Sequence, residues 1–424
     1  MRTSIKAAGA SIIHAGAILI TCAALPAVPS ANPTESRANP RLITWVEQIL
    51  SQNPELQAAA ASEEAARARL TGAGRALYNP ELEIEYERSD IDLATAELLQ
   101  PLDWHGKREA RERVADSSLT AARTEYDALR ERLTAELLGA LAEYEGSRAL
   151  VDLAARRVAL LKRFAEVAQK RGRAGDLGQV EVELAQLAYV EGEMTAAGDK
   201  AALADAVDIL YRITGAGLPR AGLPRVPAEA LPRASPPDAL AARHPDVRAA
   251  RARAQLAGVA VRRADTDRRA DPTIGIKGGR EDEAALFGLR LNIPLQVRND
   301  FRAEVDAARS ESAQASFVAA QIERQTVAEL NAAQGRYWAL QQAWQIWERT
   351  GRGSLETRVQ LLERLWRVGE LSTTDYLVQL KQSLETESAG RTLQRALWQA
   401  WIAWLRAAGQ VQSWLGLESR GGAP

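Results

Sequence analysis

The chain is poor in the residues that most often carry chemistry. One cysteine, two methionines and three histidines are spread over 424 positions. The cysteine is Cys22, near the N-terminus, so no disulfide framework exists. The methionines are Met1 and Met194, which removes any relay of soft sulfur ligands. There is no phosphate-loop motif and no His-Glu-x-x-His stretch. Gly72-Ala73-Gly74-Arg75-Ala76-Leu77 half-matches a dinucleotide loop, but it lacks the third glycine and follows a helical stretch rather than a strand. Asp103 and His105 have no further ligand nearby, so His105 reads as a turn residue, and His244 before Pro245 reads as a helix-start residue. Neither an enzyme nor a cofactor or metal site is expected. A formal net charge of −1 leaves no global field to attract nucleic acid. After residue 31 no apolar run is long enough for a membrane-spanning helix.

What is present begins with an export signal over residues 1–31. Arg2 and Lys6 precede an apolar run from Ile12 to Leu25, followed by small residues and prolines. Cys22 is a candidate lipidation site, although Thr21 is larger than the residue a lipoprotein signal places there. The alternative is ordinary cleavage between Ala24 and Ala31.

The composition is that of long helices and coiled coils. A helical segment is expected from Arg41 to Leu77. From Gly106 to Arg171 there is no proline, and Leu129, Leu133, Leu137, Leu141 and Tyr144 fall on one helical face. Such a helix is about 100 Å long at 1.5 Å per residue. Arg171 to Gly178 breaks it, and a return helix runs from Gln179 to Thr214. A second helical segment is expected from Asp238 to Arg269. Further on, Leu330, Ala333, Tyr337, Leu340, Trp344 and Trp347 form a coiled-coil seam, with a kink expected at Gly351 and Gly353. Trp398, Trp401 and Trp404 share a helical face and read as packing residues.

Two short stretches interrupt this helical text. In the first, Leu82, Ile84 and Tyr86 alternate with Glu81, Glu83, Glu85 and Glu87, and a second alternating run leads to Pro101. In the second, Phe287, Leu289, Leu291 and Ile293 alternate with Gly288, Arg290 and Asn292. Each is a hairpin with arms near ten residues, the length of a tilted membrane strand.

The two belong to a duplication. Asn53-Pro54, Asn79-Pro80, Pro101-Leu102 and Arg173 recur as His244-Pro245, Asp271-Pro272, Pro294-Leu295 and Arg367, at offsets of 191, 192, 193 and 194 residues. The first repeat covers 32–214, with its hairpin at about 80–101 and its tip turn at 171–178. A proline-rich linker follows at 215–237. The second repeat covers 238–418, with its hairpin at about 272–295 and its tip turn at 367–374, and a tail occupies 419–424.

Four strands cannot close a barrel in one chain, and open edges are costly in lipid. Closure requires several chains, and three copies supply twelve strands. The fold class expected is mainly α with a membrane β-barrel: a trimeric 12-stranded barrel continued by a periplasmic α-helical coiled-coil tunnel. Glu81, Glu83, Glu85, Glu87, Glu97, Lys277 and Arg290 then face the bore, which is net acidic, and Trp104 joins an interfacial aromatic belt. That acidity reads either as a preference for cations or as the ordinary charge of a wet lumen. The competing architecture is a soluble periplasmic coiled-coil structural or adaptor protein with two surface hairpins.

The duplicated helix–hairpin–helix plan resembles the TolC-type outer-membrane efflux proteins. The most specific stretch is Arg367-Val368-Gly369-Glu370-Leu371-Ser372-Thr373-Thr374-Asp375-Tyr376-Leu377, similar to the family's periplasmic tip turn. Its counterpart is Arg173-Ala174-Gly175-Asp176-Leu177. The resemblance implies a homotrimer in the outer membrane of a Gram-negative bacterium. Its tips would dock onto a periplasmic membrane-fusion adaptor and an inner-membrane RND-type pump. It also implies an aperture ringed by acidic residues. Asp375 matches the first position of a paired motif, Val378 stands where the second aspartate would be, and Glu181 is the first-repeat equivalent. Asn53-Pro54-Glu55-Leu56, Asn79-Pro80-Glu81-Leu82 and Gly106-Lys107-Arg108 with Arg111 resemble the CzcC-like, heavy-metal branch. Export of drugs or polypeptides is the alternative within the class.

Overall fold

The computed structural model describes residues 39–88, 90, 92–215, 237–350 and 355–417. The export signal, Cys22, most of the proline-rich linker, the glycine kink at 351–353 and the C-terminal tail lie outside the described residues.

The first helical segment is two helices, α1 (Pro40–Gln52) and α2 (Pro54–Ala73). Asn53 separates them in an extended conformation, and its side chain accepts a hydrogen bond from the Leu56 N–H at 3.1 Å. Pro54 has no N–H to offer the helix before it, so the pair Asn53-Pro54 ends one helix and starts the next. The first strands are β1 (Glu81–Arg88) and β2 (Asp92–Pro101). They lead into α3 (Lys107–Arg173), whose 67 residues span about 100 Å. The return helix is α4 (Gln179–Thr214).

The second repeat has the same plan. Short α5 (Pro237–Arg243) and α6 (Pro245–Asp267) replace the single helix expected there. His244 divides them and accepts from the Asp246 N–H through Nδ1 at 3.2 Å, the helix-start role read from the sequence. Then come β3 (Thr273–Glu281), β4 (Ala284–Asn292), α7 (Arg302–Thr350), α8 (Leu355–Arg367), α9 (Thr373–Ala407) and α10 (Val411–Leu415). The second hairpin is shorter than its alternating pattern, because pairing stops at Asn292 while apolar Ile293, Leu295 and Val297 continue unpaired and exposed.

The main core lies midway along α3, where Leu137, Leu138 and Leu141 are fully buried against α1, α7, α9 and α10. Each such leucine contributes about 1.5–3 kcal/mol by leaving water. The tryptophans on α9 belong here: Trp401 stacks on Trp404 at 5.2 Å and meets Tyr337 of α7 at 5.3 Å. Buried Glu131 of α3 accepts the N–H groups of Val411 and Gln412 at 2.6 and 3.2 Å, pinning the start of α10. Burial pushes that carboxyl above the usual range, and the two N–H donors oppose the shift.

All four strands form one antiparallel sheet in the order β1-β2-β3-β4, so the two hairpins join through β2 and β3. Among the described residues the outer edges of β1 and β4 are unpaired. The sheet is anchored to the helices by a small polar hub. Lys107, at the start of α3, pairs with buried Asp271 at 3.1 Å, and Asp271 also accepts from the Tyr78 hydroxyl at 2.7 Å. Asp103 accepts the Lys107 and Arg108 N–H groups, capping α3. Arg111 donates to the carbonyls of Gly72, Ala73 and Arg75, closing the end of α2.

Candidate functional site

Two regions qualify, the sheet and the tips of the two helical hairpins. Rows across the sheet assign the faces. Leu82, Leu98, Ile276 and Leu289 lie opposite one another in one row, and Ile84, Ala96, Gly278 and Phe287 in a row on the same face. The large side chains of these rows are exposed, Leu289 by 78% and Phe287 by 76%. An exposed apolar face of this extent marks contact with lipid or protein.

The intervening rows carry the charges: Glu83, Glu97, Lys277 and Gly288 in one, Glu81, Leu99, Gly275 and Arg290 in the next. Glu85 and Glu87 complete the acidic edge on β1. The carboxylates are not uniformly open to solvent. Lys277 reaches Glu85 at 3.1 Å, and Arg290 reaches Glu97 at 2.8 Å and Glu83 at 3.9 Å. Glu97 is only 3% exposed. Glu281, which sequence reasoning passed over, falls on the same face opposite Leu93. Its signal was the period-two alternation of β3 carried one step past Gly279. Trp104, just beyond β2, is 70% exposed.

At the far end, the tip turns share one backbone solution. Gly175 and Gly369 hold φ of 82° and 79°, a conformation that penalises any side chain. The Asp176 N–H returns to the Arg171 carbonyl at 2.9 Å, and the Glu370 N–H to the Leu365 carbonyl at 3.0 Å. These are six-to-one closures of a helix ended by a left-handed glycine. Arg173, Gly175, Asp176, Arg367, Gly369, Glu370 and Ser372 are exposed, whereas Leu177 and Leu371 pack partly into the hairpins. Arg367 is paired with Glu363.

The two acidic residues following the turns both take part in capping. The Ser372 hydroxyl accepts from the Asp375 N–H at 3.1 Å and donates to the Asp375 carboxylate at 2.7 Å. Gly178 has no side chain to cap with, and its N–H donates to Glu181 at 3.0 Å. Asp375 is exposed and Glu181 half-buried, and Val378 beside them is 58% exposed.

Just above the tips lies a cluster the sequence did not announce. Phe164 of α3, Trp366 of α8 and Tyr376 of α9 sit with ring centroids 4.9 to 5.1 Å apart. Arg171 crosses from the first repeat, its guanidinium 5.7 Å from the Trp366 ring. The two helical hairpins are thereby locked together. Burial, reinforced by Glu363, pushes the Tyr376 phenol from the ordinary 10.0 up to about 12. The folded state therefore holds this proton more tightly than the unfolded chain, and its contribution is lost as pH rises through that window. Thermal unfolding of the purified protein, compared between pH 8 and 11.5, is expected to show a smaller alkaline loss for Tyr376→Phe than for the wild type. Equal losses would contradict the assignment.

An amphipathic sheet with two open edges, carried at the head of long helices in a plan built twice over in one chain, the longest helix about 100 Å, is the protomer fold of the TolC-like channels. Over residues 45–216 the chain matches the model of the outer membrane efflux protein family. It is 26% identical over 261 residues to the cobalt-zinc-cadmium resistance protein CzcC of Cupriavidus metallidurans, a match covering 58% of this chain and 62% of CzcC. The chain thus spans less than two thirds of that relative. Among solved structures, it matches the CmeC outer membrane channel of Campylobacter jejuni with a TM-score of 0.74 at 14% identity, over 88% of this chain and 86% of that one. It matches the CusC channel with a TM-score of 0.72 at 17% identity, over 87% and 92%. This is the fold to which the tip and hairpin motifs pointed.

Proposed function

We propose that this protein is a trimeric outer-membrane exit duct of a tripartite efflux pump, without catalysis of its own, and that it serves the export of heavy-metal cations. The observation that carries the reading is the four-stranded sheet, apolar on one face and charged on the other. Its unpaired edges leave it incomplete in lipid until further copies close the ring. Three copies place β4 of each chain beside β1 of the next and close twelve strands. The apolar rows then meet lipid, the glutamate rows line the bore, and α3, α4, α7, α8 and α9 continue the tube through the periplasm. The likeness to CzcC, a cobalt-zinc-cadmium resistance protein, supports metal cations as the cargo. A passive duct requires no tight metal site, and energy is supplied by an inner-membrane pump.

The tips at Arg173–Leu177 and Arg367–Ser372 are the docking surface for a periplasmic adaptor. Asp375 and Glu181, one turn into the return helices, form the aperture. Opening separates the two helical hairpins where the Arg171, Trp366 and Tyr376 contacts now hold them. The test is fractionation: the protein is expected in the outer membrane as an SDS-resistant trimer that dissociates on boiling. A soluble periplasmic monomer would overturn the reading in favour of a coiled-coil structural protein.

A further inference from the structure

The charged face of the sheet is more than an acidic lining. Its glutamates lie mainly on β1 and β2, and its two cations come from β3 and β4. Arg290 can reach Glu97 only by crossing the intervening strand at Gly275, the residue directly opposite it. A Cβ at Gly275 would lie 2.8 Å from the Glu97 carboxylate, 2.6 Å from Leu99 and 3.3 Å from the Arg290 Cβ. The glycine thus leaves the space across which the Arg290 side chain reaches Glu97. Gly279, two rows further along the same face, is also closely approached, since a Cβ there would come within 2.2 Å of the Ala94 carbonyl. Across this face three carboxylates, those of Glu83, Glu85 and Glu97, are held in ion pairs by Arg290 and Lys277. Of the six glutamates on this face, Glu81, Glu87 and Glu281 are left without an ion pair among the described residues.

We propose that Arg290 and Lys277 are specificity-determining residues of the bore. By occupying the central carboxylates they hold down its preference for cations, and permeating ions meet free negative charge only at the ends of the strands. This rests on the duct reading above. Charges in a water-filled lumen set selectivity without being needed for closure of the barrel. The ion pairs are partly exposed, so their loss is expected to alter ion preference far more than assembly.

The experiment is the reversal potential of the purified trimer in planar bilayers under a gradient of dilute potassium chloride, where screening is weak. Arg290→Gln and Lys277→Gln are each expected to raise the cation-to-anion permeability ratio by about twofold or more, and the double variant further. Arg290→Lys, which keeps the charge, is expected to stay near the wild type. Should Arg290→Gln fail to assemble, Lys277→Gln carries the same comparison alone. Conducting variants with the wild-type reversal potential would overturn the proposal while leaving the duct intact. A protein that purifies as a soluble monomer and enters no bilayer would overturn the duct reading itself, and the proposal with it.

Discussion

Leu289→Arg is expected to remove the protein from the outer membrane, whereas Gly288→Ser, one residue away, is tolerated. Leu289 is 78% exposed in the middle of β4, in a row with Leu82, Leu98 and Ile276. If that face meets hydrocarbon, an arginine there costs about 2–4 kcal/mol near the bilayer midplane. A trimer repeats the cost in every chain, and the sum rivals the whole stability of an ordinary domain. Gly288 points to the other face, where the nearest atom to an added Cβ is the Lys277 Cβ at 3.9 Å. A hydroxymethyl group fits there and faces water. Heat-modifiable trimer on a denaturing gel is the measure. Loss in both variants would mean only that β4 is intolerant. Retention of Leu289→Arg would mean that the apolar face is not turned to lipid.

At the opposite end, Gly369→Glu is expected to abolish export while the trimer persists. Gly369 holds a left-handed conformation that a side chain occupies at a cost of about 1–2 kcal/mol. No atom lies within 4 Å of an added Cβ, so the cost is backbone strain and not collision. The helices on either side stay anchored by Phe164, Trp366 and Tyr376. What the glutamate changes is the charge and shape of an exposed turn. Gly369→Ala carries the same strain without the charge and separates the two effects. It is expected to keep most of the export, and Gly369→Glu to fall to the level of a strain lacking the protein. Full export by Gly369→Glu would exclude this turn from docking.

The features legible in the sequence were those that depend on local order. Period-two alternation exposed both hairpins, and the near-constant offset between Asn53-Pro54 and His244-Pro245 exposed the duplication. Gly175 and Gly369 announced the tips, because few other residues adopt the turn that ends those helices. Less legible were features made by residues distant in sequence. Phe164, Trp366 and Tyr376 each sit in an ordinary helical pattern, and only the folding of one hairpin onto the other brings them together. The covering of Glu97 depends on a glycine on the neighbouring strand and an arginine on the strand beyond it. The break at Asn53 escapes the sequence reading, because Asn53-Pro54 reads there as a repeat marker within one helical segment, whereas an asparagine cap followed by proline ends one helix and starts the next. Arg108 and Arg111 stood out as a family-like motif, and their work, clamping the end of α2, needed the fold to be seen.

The central claim is that this duct exports metal cations, and sensitivity of a deletion strain tests it most directly. Growth should be compared on zinc, cobalt and cadmium against detergents and dyes, with and without the restored protein. The account predicts heightened sensitivity to the metals, reversed on restoration, and unchanged tolerance of detergents and dyes. Unchanged metal tolerance together with new sensitivity to detergents and dyes would contradict it and make this a drug-export duct.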